Sequence, residues 1–261
     1  MYQNHRIAVV VPAYNEADKI AQTLASIPAF VDAVIVVDDG SRDNTAALAA
    51  AFVRHGLEVV VHTENLGVGA AIVTGYRRAL ALGCDVAAVM AGDSQMCPGD
   101  LPGLLDPVAS GTADYAKGNR FAWASAESAF RLMPVSRWIG NVVLSHLTRL
   151  ATGNYSFFDS QCGYTAASRK ALAVIVSAPV FRRYGYPNAL LIQLCAARLS
   201  VKDVAVRPVY GPGWRSGIQP HVVALPILGL LWRGWRSRFS LRALMGLSNG
   251  DARALHGRET P

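Results

Sequence analysis

Asp93 and Gln95 lie two residues apart in a polar turn that ends an apolar run, Val86 to Met90, with Pro98 ahead of the next helix. A carboxylate at the carboxyl end of a strand in an open α/β sheet lies where such folds bind ligands. Side chains two residues apart point the same way from an extended segment. One carboxylate, one amide oxygen and open positions suit a hard divalent cation that a diphosphate helps to hold, Mg²⁺ or Mn²⁺. The same residues also fit a plain turn with Asp93 as a helix cap. Further acids stand at comparable points of the chain: Glu16, the adjacent pair Asp38 and Asp39, and Glu64.

The elements that must position these groups follow from hydrophobic runs and breakers. Ile7 to Val11, Ala33 to Val37, Glu58 to His62 and Asp85 to Met90 read as short buried strands. Helical spacing follows each of the first three, to about Ser26, to about Arg54 and over Ala70 to Leu82. Alternating strand and helix predicts a mostly parallel, Rossmann-like sheet flanked by helices. Right-handed crossovers put the loops 12–16, 38–41, 64–69 and 91–98 on one edge. Later, the chain reads as a helix over 99–110, a strand over 114–117, a helix over 135–152 and a turn entering a strand near Tyr164. Helices capped by Ser168 and opened by Pro187, a strand over 203–209 and a glycine-rich loop over 210–218 complete this part. Gly67-x-Gly69 is no dinucleotide fingerprint, because Ile72 takes the third glycine position and the pair follows the third strand.

Composition narrows the function. The 261 residues are 52% hydrophobic and 16% charged, with a net charge of +7. A basic excess with few charges overall favours a phosphate-bearing ligand or an anionic surface over a nucleic acid. Cys84, Cys97, Cys162 and Cys195 have no zinc-site spacing and point to a reducing, cytoplasmic compartment. The apolar stretch from Val222 to Trp232 is too short to span a bilayer, and Trp and Leu among Arg233, Arg236, Arg238 and Arg242 fit two placements. One is an amphipathic helix in the interface at the cytoplasmic face of a membrane; the other is a helix packed on the domain.

Taken in order, Val10-Val-Pro-Ala-Tyr-Asn-Glu16, Val36-Val-Asp-Asp-Gly-Ser41, Asn65-Leu-Gly67 and Asp93-Ser-Gln95 resemble the motifs of the family 2 glycosyltransferases with the GT-A fold. Within that family the chain looks most like the polyprenyl-phosphate and dolichyl-phosphate sugar transferases. The weaker matches are Lys117-Gly-Asn-Arg120, Asp159-Ser-Gln-Cys-Gly163 and Arg215-Ser-Gly217, and the likeness extends from about Ile7 to Gln219. It implies a GT-A domain over 1–220, with a nucleotide-binding half over 1–115 and an acceptor-binding half over 116–220, followed by a basic amphipathic segment over 221–261.

The expected activity is inverting transfer of a sugar from a UDP- or GDP-sugar to a polyprenyl-phosphate-type lipid. A soluble hydroxyl acceptor is the alternative, and nucleotide-sugar binding without turnover a third reading. Pro12, Ala13, Tyr14, Asn15, Glu16, Asp38, Asp39, Gly67 and Asp93 are the expected donor contacts. Tyr14 offers a ring face, Glu16 an acceptor for a ribose hydroxyl, and the resemblance gives Asp39 a base N–H. Asp93 and Gln95 are the expected metal ligands, although Ala91 replaces the first acid of the family's Asp-x-Asp pattern and weakens that expectation. Arg215 is expected to close over the diphosphate, and Arg120 and Arg137 match positions that meet an acceptor phosphate in the resembling enzymes. A neutral acceptor would need a base, for which Asp159 is the candidate.

Overall fold

The computed structural model describes residues 1–122, 135–179, 181, 185–209 and 227–236. The strands are β1 (Ile7–Ala13), β2 (Ala33–Asp38), β3 (Leu57–Val61), β4 (Val86–Val89), β5 (Tyr115–Asn119), β6 (Thr165–Ser168) and β7 (Val201–Ala205). The helices are α1 (Ile20–Ser26), α2 (Thr45–Ala51), α3 (Val68–Ala81), α4 (Leu101–Ala109), α5 (Val135–Thr152), α6 (Arg169–Ser177) and α7 (Tyr186–Ala196), with α8 over 227–236. The strands form one seven-stranded sheet in the order β3-β2-β1-β4-β6-β5-β7. β6 runs antiparallel to both neighbours, and the other pairings are parallel. This is the expected mostly parallel GT-A architecture. β4 pairs with β6, so strands from both expected halves join in one sheet.

β1 is buried along its whole length, and its pleat feeds two cores. Ala8 and Val10 face a core closed by α3, α6 and α7, with Tyr76, Leu172 and Leu191. Ile7, Val9 and Val11 face the other, closed by α1 and α4 with Leu24, Leu101 and Leu105. Burial on both faces is why these strands are continuous apolar runs. The chain moves from β1 to β2 and β3 on one side, then returns to place β4 on the other. The crevice between β1 and β4 is thus a topological switch point, where such sheets bind ligands.

Two expectations shift at their ends. The strand expected over 203–209 is Val201–Ala205, because it follows its parallel register with β5, Tyr115 opposite Val201 and Asn119 opposite Ala205. The helix opened by Pro187 stops at Ala196, where Arg198 turns into the left-handed region and Leu199 N–H returns to the Leu194 carbonyl. Ser168 caps α6 as expected, its hydroxyl accepting from Ala171 N–H at 3.2 Å. Over 227–236 the basic segment is a helix packed on the domain, with Ile227 and Leu231 buried against Ala151, Leu144, Leu147 and Ile192. Trp232 and Trp235 stack on its outer side with ring centroids 5.1 Å apart.

Candidate active site at the carboxyl edge of the sheet

Three loops close on one another above the switch point through backbone bonds. Asp39 N–H donates to the Ala13 carbonyl at 2.8 Å, and Gly92 N–H to the Pro12 carbonyl at 3.0 Å. The loop after β3 joins them where Gly40 fits against it. A Cβ on Gly40, which has φ +70°, would lie 2.6 Å from the Glu64 backbone. The result is a cavity of about 500 Å³ lined by Pro12, Ala13, Tyr14, Glu16, Asp39, Asn65, Gly67, Val68, Ala71, Ala91, Gly92 and Asp93.

Most expected donor contacts meet at this cavity: Pro12, Ala13, Tyr14, Glu16, Asp39, Gly67 and Asp93. Tyr14 is 40% exposed although it follows a buried strand, so its ring is open to a flat partner. Glu16 is half-buried with its N–H on the Thr45 hydroxyl at 2.8 Å. Burial pushes its carboxyl up; Lys19 opposes that shift and Asp93 adds to it. Gly67, at φ +95°, opens α3 in a conformation that a side chain would strain.

Two of the expected contacts point elsewhere. Asp38 is 1% exposed and does not line the cavity. Its carboxylate accepts from Ser41 N–H at 3.1 Å and from the Ser41 hydroxyl, closing its own turn. Asn15 is also absent from the lining and bridges to the β2–α2 loop. Its N–H donates to Ser41 Oγ at 2.9 Å and its Oδ1 accepts from Arg42 N–H at 2.8 Å. These two side chains hold the loops around the cavity and do not line it.

Asp93 reaches the cavity from a loop held in shape by groups that sequence reading missed. Thr23, buried on α1, donates to the Gly92 carbonyl at 3.1 Å and bonds the Ser94 hydroxyl at 2.8 Å. Ser94 takes a left-handed φ of +59°, and Gln95 N–H donates to Asp93 Oδ1 at 3.1 Å. Gln95 does not line the cavity, whereas Ala91 does. Among the described residues no three His, Cys, Asp or Glu side chains converge as a metal cage. The donor set fits a hard cation held chiefly by a ligand's diphosphate, with Asp93 as the protein's carboxylate and water completing the shell.

The β5–β6 side is built differently. Asp159 is fully buried and takes Arg120 in a forked pair, Nε to Oδ2 at 2.7 Å and Nη2 to Oδ1 at 2.8 Å. Arg120 N–H adds a third bond at 3.0 Å. Burial alone would raise the Asp159 carboxyl, but the charge and bonds of Arg120 outweigh it and hold the group below the usual carboxylate range. Beneath the pair, buried Lys117 donates to the Cys162 carbonyl at 2.9 Å, and burial pulls its ammonium down. Asp203, pushed up by burial, accepts from Asn119 Nδ2 and Phe158 N–H, both at 2.6 Å. A base has to be accessible and ready to take a proton, and Asp159 is neither. The Arg137 side chain and Arg215 lie outside the described residues.

Switch-point topology, the cavity and an acid-bearing loop after β4 fit the GT-A architecture and place a ligand site at the carboxyl edge of the sheet. The model of the glycosyl transferase family 2 matches residues 8–175, and the chain belongs to that family. It is an enzyme of the glycosyltransferase class. It is 30% identical over 219 residues to a UDP-N-acetylglucosamine–dolichyl-phosphate N-acetylglucosaminyltransferase of Methanococcus voltae, covering 78% of this chain and 86% of that one. It is 36% identical over 206 residues to an uncharacterized glycosyltransferase of Mycobacterium tuberculosis, covering 79% and 85%. Among solved structures it is similar to glucosyl-3-phosphoglycerate synthase from M. tuberculosis in complex with Mn²⁺, UDP-glucose and phosphoglyceric acid. That match has 25% identity and a TM-score of 0.61 over 87% of this chain and 80% of that one.

The Mn²⁺ in that complex agrees with the cation expected here, and Mg²⁺ offers the same hard chemistry. The expected polyprenyl-phosphate acceptor is corrected by the same complex, which holds phosphoglyceric acid, a soluble hydroxyl compound, beside the UDP-glucose. The expected lipid partner is corrected with it. No helix among the described residues is long and apolar enough to cross a membrane.

Proposed function

We propose that the chain transfers a sugar from a UDP-sugar to a soluble hydroxyl acceptor with inversion at the anomeric carbon, in the cytoplasm. The observation that carries this reading is the cavity at the switch point, which brings a ring face, an inward carboxylate and a metal-competent carboxylate to one space.

Tyr14 stacks on the base, Asp39 accepts its N–H, and Glu16 accepts a ribose hydroxyl. Pro12, Ala13 and Gly67 let the backbone approach the nucleotide closely. Asp93 is the protein ligand of the cation, and Gln95 serves by holding Asp93 through its backbone N–H. When bound, the Mn²⁺ or Mg²⁺ ion supplies positive charge against the departing diphosphate. Arg215 adds a second cation there, and Arg137 contributes to the acceptor side. The 1–115 stretch carries the donor site, and 116–220 the acceptor side.

A hydroxyl acceptor must lose a proton as it attacks. Asp159 does not take it, because its ion pair with Arg120 makes it a poor base. The pair braces the end of β5, which leaves Arg120 a scaffold residue and not an acceptor clamp.

Turnover of UDP-glucose and UDP-N-acetylglucosamine, with Mn²⁺ and a panel of phosphorylated and plain hydroxy acids in lipid-free buffer, tests this reading. UDP release matched by a glycosylated soluble product is expected. Release that occurs only with polyprenyl phosphate in vesicles would overturn it.

A further inference from the structure

His62 stands at the end of β3, outside every motif of the sequence and outside the cavity lining. In the parallel register Asp38 lies opposite Val61, so the next residues, Asp39 and His62, emerge side by side. His62 Nδ1 is 2.8 Å from Asp39 Oδ1, and His62 Nε2 is 3.0 Å from the Thr74 hydroxyl on α3. An ionised carboxylate only accepts, so Nδ1 carries the proton, and in the neutral ring Nε2 accepts from Thr74. Thr74 thereby fixes the tautomer that Asp39 requires.

The donors around Asp39 are unequal. Among the described residues, Oδ1 accepts from His62 and from Leu66 N–H at 3.0 Å, and Oδ2 accepts from Gly67 N–H alone, at 2.8 Å. A carboxylate has about four acceptor positions. The position left over lies on Oδ2, and Asp39 lines the cavity although it is 3% exposed. Two donors on one oxygen and one on the other hold the rotation of the carboxylate and leave its acceptor capacity on Oδ2.

We propose that His62 is a positioning residue for the nucleotide base, acting through Asp39, and that the Thr74–His62–Asp39 chain sets a preference for uracil over cytosine. This rests on the UDP-sugar reading of the cavity. Uracil presents an N3–H donor to Oδ2. Cytosine presents a lone pair at the same position, which an anionic oxygen repels. A site built to receive a donor rejects the analogue that lacks it, because its own buried group is then left unpaired. Without His62 the carboxylate keeps only the two backbone donors, Leu66 N–H on Oδ1 and Gly67 N–H on Oδ2, so its orientation is held less tightly and the discrimination relaxes.

The test is calorimetric titration of the full chain with UDP and with CDP, each with Mn²⁺. His62→Phe keeps a ring but removes both bonds, His62→Asn restores a donor near Nδ1, and Thr74→Val removes only the tautomer lock. The parent is expected to prefer UDP by about 100-fold, His62→Phe to lower that ratio about tenfold, and Thr74→Val to lower it less. His62→Asn is expected to recover most of the ratio. A merely structural histidine would weaken UDP and CDP equally, and an unchanged UDP-to-CDP ratio in His62→Phe would overturn the proposal. Should His62→Phe lose its fold by circular dichroism, Thr74→Val decides, an unchanged ratio again counting against the chain. A parent that binds neither nucleotide would instead sink the donor reading itself.

Discussion

The two sides of the sheet use their charges in opposite ways. On the β1–β4 side, backbone and hydroxyl groups hold the loops, and carboxylates at the cavity keep part of their surface for a ligand. Asp39 accepts from two backbone N–H groups of the loop after β3, and Asp93 from the Gln95 N–H of its own loop, while both line the cavity. On the β5–β7 side, Lys117, Arg120, Asp159 and Asp203 are turned mainly on one another and on the backbone. The first arrangement recognises; the second braces. A pair such as Asp159 and Arg120 adds little net stability over apolar packing, yet losing one partner leaves a buried charge alone.

The sharpest way to break this contrast is to remove one brace. Asp159→Ala should cost about 3–5 kcal/mol in urea unfolding, because Arg120 loses its counter-charge at a largely buried site. A loss below 1 kcal/mol would mean that the pair is not a brace. The same group gives a pH signature. Its folded pKa lies below its ordinary 3.8, so its stabilisation is complete above that value and is lost as pH falls through the folded one. Acid unfolding of the parent should therefore steepen below about pH 4. Asp159→Asn should flatten that limb.

Effects on the donor side should fall on binding before stability. Asp39→Asn puts a donor group where two backbone N–H groups and His62 need acceptors, and should lower UDP affinity at least about tenfold while costing about 1–3 kcal/mol of stability. UDP titration and urea unfolding of one preparation measure both. Asp93→Ala should remove most of the gain that Mn²⁺ gives to UDP binding and leave the melting temperature nearly unchanged, since its loop is also held by Thr23. An intact Mn²⁺ gain would take Asp93 out of the site. Tyr14→Ala should be mildest, weakening UDP about tenfold through lost stacking with no effect on stability.

This contrast also marks what the sequence could tell. The strands β1 to β4 were legible because burial on both faces makes them continuous apolar runs, and the switch point follows from right-handed crossovers. β6 was barely legible: Thr165–Ser168 is short and small-sided, and it belongs to the sheet only by pairing with β4 and β5. At the site, Asp38 and Asp39 are equivalent letters, yet successive side chains leave a strand in opposite directions. One closes its own turn and the other faces the cavity. The ion pair of Arg120 with Asp159 joins residues 39 positions apart, and read along the chain the two carry separate duties. His62 belongs to none of the motifs. Only the register of β3 against β2 places it beside Asp39.

The most direct measurement is titration of the parent chain with UDP and with GDP, each in Mn²⁺ and in EDTA. The account predicts that UDP binds, that GDP binds much more weakly, and that EDTA weakens UDP at least about tenfold, because a single carboxylate and the diphosphate share the cation. Equal UDP binding in EDTA, or a preference for GDP, would contradict it.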